Sequence, residues 1–100
     1  MTRRIEVRPE AEQDALNAFR YYEEIRAGLG REFLGDVREQ IDRILKRLKL
    51  YARKHGNIRR AQMKRFPYGF AYTYDVRTET VQVLAIMHAA RHPDHWRRRA

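Results

Sequence analysis

The chain of 100 residues contains no cysteine and no serine. Without cysteine it has no disulfide bond, no thiolate nucleophile and no cysteine-bearing zinc site. Without serine it lacks the nucleophile of Ser-His-Asp hydrolases, and its four threonines are the only aliphatic hydroxyls left for that role. These absences exclude a large part of covalent catalysis and of structural zinc binding. We expect no cofactor and no metal ion.

Long apolar segments are also missing from the sequence. No run approaches the roughly 20 residues that a membrane-spanning helix needs. Arg3 and Arg4 lead into a strand-like stretch and not into the apolar region of a signal peptide. We therefore expect a cytoplasmic protein without a membrane partner. A length of 100 residues allows one hydrophobic core, which predicts a single domain over residues 1–100.

Negative charge is scarce in the middle of the chain. The formal net charge is +9, from 22 Lys and Arg against 13 Asp and Glu. Residues 43–65 contain ten Lys and Arg and no acidic residue, and a second basic cluster ends the chain. This distribution favours a nucleic acid or an acidic protein as partner, although a solvated surface has the same composition. The candidate binding residues are Arg59, Arg60, Trp96, Arg97 and Arg98.

The first half of the chain has the periodicity of one strand and two helices. Alternating apolar residues predict a strand over 3–8. Apolar residues at three- and four-residue spacing then predict an amphipathic helix over 9–25, and Gly28 and Gly30 turn the chain. A second helix is predicted from about Arg31 through Lys54, ended by the Gly-Asn pair that follows. Two helices joined by such a tight turn form an antiparallel hairpin.

After residue 57 the apolar period changes from that of a helix to the two-residue period of strands. Strands are predicted over 58–66, 70–75 and 80–88, with a turn that contains proline and glycine at 66–69. The last strand is apolar on both sides and belongs in the middle of a sheet. Its alternation assigns one face to Val81, Val83, Ala85 and Met87 and the other to Leu84 and Ile86. The aromatic residues expected to pack under the helices are Phe70, Tyr72 and Tyr74.

The order of elements is thus strand, helix, helix, strand, strand, strand. Helices and strands that follow one another in blocks are typical of α+β proteins. We predict an α+β fold in which a helical hairpin packs on one face of a mostly antiparallel four-stranded sheet.

Three stretches of the sequence carry a family resemblance. The turn between the helices reads Leu29-Gly30-Arg31-Glu32-Phe33-Leu34, and the turn between two strands reads Arg65-Phe66-Pro67-Tyr68. The last strand runs into His88-Ala89-Ala90-Arg91-His92-Pro93-Asp94-His95-Trp96. Together with the order of elements, they resemble the RelE/ParE toxin superfamily, and within it the plasmid-stabilisation proteins of the ParE type.

The resemblance implies a toxin that is neutralised by a cognate antitoxin lying across its surface. RelE-like members of the superfamily cut mRNA on the ribosome with basic residues, whereas ParE-like members poison DNA gyrase and are not nucleases. The fold does not choose between the two. An acidic or amphipathic antitoxin segment, disordered until it binds, suits a surface this basic.

This sequence matches the catalytic pattern of RelE-like toxins at two positions and departs from it at two others. The RelE pattern has lysines on the first strand after the helices, an arginine on the next strand, another arginine after the last strand, and a tyrosine in the tail. Lys64 and Arg91 match the first and last cations. Gly69 stands where the strand arginine falls, and Trp96 or Arg97 stands where the tyrosine falls. An indole cannot exchange a proton as a phenol does.

Histidine can supply acid–base chemistry in place of the missing groups, because its ordinary pKa lies near neutrality. The candidate catalytic set of a RelE-like enzyme is therefore Lys64, Arg65, His88 and Arg91. The structural alternative is that His88 caps a strand and Arg91 binds loop carbonyls.

A metal site is the weakest of the chemical hypotheses. His88, His92 and His95 share one face only if they lie on one helix, and Pro93 interrupts such a helix. No cysteine or second ligand cluster supports the site.

The leading interpretation is a ParE-like toxin that binds gyrase and is not an enzyme. It rests on the intact ParE-type ending and on the missing RelE-type arginine and tyrosine. The first alternative is a ribosome-dependent mRNA endonuclease. The second is a non-toxic nucleic-acid-binding module, whose binding weakens steeply with salt.

Overall fold

The structure is a computed structural model that describes residues 4–47 and 57–89 and the backbone of residues 53–55. The elements, in chain order, are β1 (Arg4–Val7), α1 (Pro9–Ile25), α2 (Leu29–Lys46), β2 (Arg53–His55), β3 (Ile58–Gln62), β4 (Tyr68–Asp75) and β5 (Thr80–His88). Two helices pack on one mixed sheet, which confirms the predicted fold class. Within these described ranges, no helix is long and apolar enough to cross a membrane.

The sheet has the strand order β1-β5-β4-β3-β2. β4 and β5 pair antiparallel along their whole length, from Tyr68 opposite His88 to Asp75 opposite Thr80. β1 lies parallel to β5 on its other side, and the remaining neighbours are antiparallel. β5 is therefore flanked by strands on both sides, as its two apolar faces predicted.

The second helix ends earlier than the sequence predicted. α2 stops at Lys46, where the Arg47 N–H contacts two carbonyl oxygens of the last turn at 3.0 and 3.2 Å. Residues 53–55 form the short edge strand β2, which adds a fifth strand to the sheet. The prediction of a helix through Lys54 is therefore wrong. Basic residues are common both at helix C-termini and on edge strands, so composition did not separate the two.

The turn between the helices depends on two glycines. Gly28 has φ +91°, a left-handed conformation that favours glycine. Gly30 lies against α1 so closely that a Cβ would come within 2.7 Å of the Phe19 carbonyl oxygen. The Glu23 carboxylate accepts hydrogen bonds from the N–H groups of both glycines, each at 3.0 Å. These bonds lower the pKa of Glu23 and satisfy donors at the start of α2, where a negative charge is favourable.

The main core lies between the helical hairpin and the sheet. Phe70 and Tyr72 are fully buried there and Tyr74 is partly buried, as predicted. Four aromatic rings fill one end of this core with centroids 4.8 to 6.0 Å apart, mostly edge to face. They belong to Tyr22, Phe33, Phe66 and Tyr68. Burial among these rings raises the pKa of Tyr22.

The predicted faces of β5 are wrong beyond Leu84. Tyr72 pairs with Val83 but Ala71 pairs with Ala85, so Leu84 is an extra residue in β5. Such a bulge interrupts the alternation of side chains. The residues of β5 that join the helix-side core are Val81, Val83 and Ile86. Those that form a second buried cluster, with Ile58 and Ala71, are Leu84, Ala85 and Met87.

Candidate functional site

Arg65, one of the candidate catalytic cations, is bound to α2. Its Nη2 lies 2.8 Å from Glu32 Oε1 and its Nη1 lies 3.5 Å from Asp36 Oδ1. The other carboxylate oxygen of Glu32 contacts Arg26 Nη2 at 3.0 Å. These hydrogen bonds hold the pKa of Glu32 below its ordinary value and raise the pKa of Arg65. The network fastens the turn between β3 and β4 to the helical hairpin.

His88 and Lys64 are the other two described residues of the candidate catalytic set. His88 ends β5 opposite Tyr68, and the two rings lie edge to face with centroids 5.4 Å apart. Lys64 is exposed in the turn after β3. Arg65 thus binds α2, while His88 lies beside Tyr68 at the α1 side of the sheet.

Arg59 and Arg60, the candidate binding residues of β3, lie on opposite faces of the sheet. Arg59 pairs with the buried Tyr72 on the helix side, and Arg60 pairs with Ala71 on the opposite side. The Arg60 guanidinium lies against Gly69, where a Cβ would come within 3.0 Å of its Nε and 3.2 Å of its Nη2. A cation from β3 thus covers the position on β4 that has no side chain. Sequence reasoning missed this, since it requires the register of the two strands.

A mostly apolar groove lies between the two helices. Its cavity volume is about 390 Å³, and we refer to it as the hairpin groove. Its apolar walls come from Ala15, Leu16, Phe19, Leu34, Val37 and Ile41. Leu16 is 40% exposed although it is apolar. Sequence reasoning assigned both helix stripes to the core and named the helical hairpin and the open sheet edge only in general as places where an antitoxin could dock, so the groove itself comes from the structure.

The remaining predicted site residues lie outside the described residues: Arg91, Trp96, Arg97 and Arg98, with His92 and His95 of the metal hypothesis. They stay predictions. Among the residues that the structure describes, no group of three potential ligands is placed to hold a metal ion.

The structure has a helical hairpin on one face of a small mixed sheet, with a basic strand beyond it. Proteins of known structure share this architecture. A chain of the chromosomal ParDE TA system from P. aeruginosa superposes with a TM-score of 0.64 at 12% identity, over 86% of this chain and 95% of that one. The isolated E. coli RelE toxin gives 0.63 at 13% identity, over 94% and 92%. At these identities the likeness establishes the fold alone.

The sequence itself narrows this class to one branch. The family model of the ParE toxin of the type II toxin-antitoxin system, parDE, matches residues 5–93. The chain belongs to this family, which confirms the predicted superfamily. No curated protein sequence matches the chain significantly.

Proposed function

We propose that the protein is the ParE-like toxin of a type II toxin–antitoxin pair. In this proposal it inhibits DNA gyrase in the cytoplasm until a cognate antitoxin neutralises it. The family match supports a toxin with an antitoxin partner. The same fold hosts both gyrase inhibitors and mRNA nucleases. The choice of gyrase therefore depends on which residues occupy the candidate catalytic site and what they bind.

The observation that carries this choice is the position of Arg65. Cleavage of RNA without a metal needs a cation that faces the charge developing on the phosphate. The Arg65 guanidinium faces Glu32 and Asp36 of α2 instead, and Gly69 contributes no side chain to the sheet. These residues support the fold, and a toxin that acts by binding gyrase does not need them as catalysts.

The hairpin groove is the proposed docking site of the antitoxin. Leu34, Val37 and Ile41 recur at three- and four-residue spacing and span about 10 Å of α2. An apolar trough of this length fits an amphipathic helix that inserts side chains from two successive turns. The net charge of +9 favours a segment whose outer face is acidic.

The target is tested by inducible expression with pulse labelling of DNA and protein synthesis in parallel. We expect DNA synthesis to fail first, with DNA breaks and an SOS response. Purified protein should then block supercoiling by purified gyrase. Unchanged supercoiling and cleavage at excess protein would contradict gyrase as the target.

The docking site is tested with Leu16→Asp in the groove. We expect this variant to arrest growth when expressed alone and to escape neutralisation by the antitoxin, because a carboxylate is costly in an apolar trough. Val76→Asp is the matched control, since Val76 is an exposed apolar residue in the turn before β5. Equal neutralisation of both variants would place the antitoxin elsewhere.

The RelE-like alternative is favoured by one observation, the Arg60 guanidinium over Gly69. It restores a cation near the position of the missing strand arginine. In this alternative the candidate catalytic residues stay Lys64, Arg65, His88 and Arg91, and Arg60, which lies on the opposite face of the sheet from His88, contributes only to binding of the ribosome-bound mRNA. Translation should then fail before DNA synthesis, and His88→Ala and Arg91→Ala should abolish growth arrest in folded protein. Growth arrest that survives both changes would dismiss this site.

A further inference from the structure

Among the described residues, Glu12 is the one charged side chain that lines the hairpin groove. It continues the α1 wall, because Ala15 and Leu16 lie three and four positions further along the same face of the helix. The two helices run antiparallel from the turn at Gly28, so Glu12 and Ile41 lie at the end of the groove that is farthest from this turn. The groove is therefore apolar along its length and acidic at one end.

No ion pair in the described part of the chain includes the Glu12 carboxylate. Arg8, one turn earlier, contacts Glu10 at 3.9 Å instead. An acid in the first turn stabilises a helix through the dipole of its N-terminus, but Glu10 has this role as well and lies outside the groove. The dipole thus accounts for an acid near the start of α1 and not for its place in an apolar wall.

A helix that fills the groove removes water from the Glu12 carboxylate, because apolar side chains surround it. Removing water from a carboxylate is costly unless a cation replaces the water. A lysine or arginine on the docked helix supplies that cation with a charge-assisted hydrogen bond, whereas an acid at the same place adds repulsion. Glu12 therefore favours one partner sequence and disfavours another, and such a difference is what makes binding specific.

We propose that Glu12 selects an antitoxin helix that carries a lysine or arginine one turn beyond its apolar residues. The proposal rests on the hairpin groove as the docking site of the antitoxin, and it names the residue by which the groove distinguishes one amphipathic helix from another. The net charge of +9 attracts acidic segments over a longer range. The charges of the partner helix are therefore divided, with acids on its outer face and a cation where its apolar stripe ends.

The selection is tested by titrating the full chain with four fluorescein-labelled helical peptides and following fluorescence anisotropy. Each peptide has leucines at positions i, i+4 and i+7 in a background of alanine and glutamine. Lysine or glutamate stands four positions before the first leucine in one pair and four positions after the last leucine in the other, because a helix can enter the groove in either direction. We expect the lysine peptide of one pair to bind about tenfold more tightly than its glutamate counterpart.

Variants of the toxin assign this preference to one residue. Glu12→Gln should abolish the preference for lysine, and Glu12→Lys should reverse it in favour of glutamate. Glu24→Lys is the matched control, because Glu24 is an exposed carboxylate of α1 outside the groove and its replacement changes the net charge by the same amount. A preference for lysine that persists in both Glu12 variants, or that Glu24→Lys removes equally, would overturn the proposal.

The titration also separates the role of Glu12 from the docking site itself. Saturable binding with equal affinity for the lysine and glutamate peptides of both pairs would overturn the selection by Glu12 and leave the groove as a docking site. Absence of saturable binding by all four peptides would overturn the docking site, and the role of Glu12 with it.

Discussion

Replacing Gly30 by alanine should destabilise the protein, although alanine is ordinarily the better helix former. A Cβ at this position would lie 2.7 Å from both Cδ1 and the carbonyl oxygen of Phe19 and 2.9 Å from Glu23 Oε1. The carbonyl belongs to the backbone of α1 and cannot rotate away. Relief of the clash therefore requires the two helices to separate or the Glu23 carboxylate to leave the N–H groups of the turn.

The expected size of the effect comes from two opposing quantities. Overpacking of a close contact costs about 1–3 kcal/mol, whereas alanine is favoured over glycine inside a helix by about 1 kcal/mol. Because the contact is with rigid backbone, we expect the cost to lie toward its upper end and the net loss to be about 1–2 kcal/mol. In a domain of this size that lowers Tm by about 4–15 °C.

Gly35 provides the matched control within the same helix. No atom lies within 4 Å of a Cβ built there, so Gly35→Ala should raise stability by about 1 kcal/mol through helix propensity alone. Urea and thermal unfolding followed by circular dichroism measure both variants against wild type. If Gly30→Ala proved as stable as Gly35→Ala, the close approach of the helices would not limit residue 30 and the reasoning would be refuted.

Two further predictions concern polar side chains. The pKa of Glu32 is lowered from 4.5 by hydrogen bonds from two arginines, so its contribution to stability is present above pH 4.5 and is lost as the pH falls through the folded pKa. The stability gap between wild type and Glu32→Gln should accordingly close in acid, and a gap independent of pH would contradict this. Gln40 is fully buried, donates to the Gln62 carbonyl oxygen at 3.4 Å and accepts from Arg43 at 2.8 and 3.1 Å. Gln40→Met should therefore cost about 1–3 kcal/mol in urea unfolding, whereas Glu39→Met, on the exposed side of the same helix, should change little.

The sequence predicted those parts of the fold in which apolar residues recur at a regular spacing within one element and so mark the face that is buried. The stripes of α1 and α2 and the alternation around Phe70 and Tyr72 are of this kind. The bulge at Leu84 and the short strand β2 are not, because both depend on which residues lie opposite in a neighbouring strand. Such pairing depends on residues that are distant in sequence, so the pattern within one short segment does not predict it.

The candidate site was predicted less completely for the same reason. Residue type selected Arg65 and His88 as catalytic candidates, but Glu32, the partner that holds Arg65, lies on a different element. The placement of Arg60 over Gly69 required the register of β3 and β4. The predicted residues of the C-terminal stretch lie outside the described residues, so they remain predictions on sequence grounds alone.

The parallel pairing of β1 with β5 has a consequence for the timing of folding. Ile5 lies beside Val81, 76 positions further along the chain. Closing so long a loop is an entropic cost that local contacts do not share. The helical hairpin can form while the chain is still being synthesised. The completed sheet cannot, because its first strand has no neighbour until β5 has left the ribosome. A growing chain therefore acquires its finished surface only after β5 has emerged.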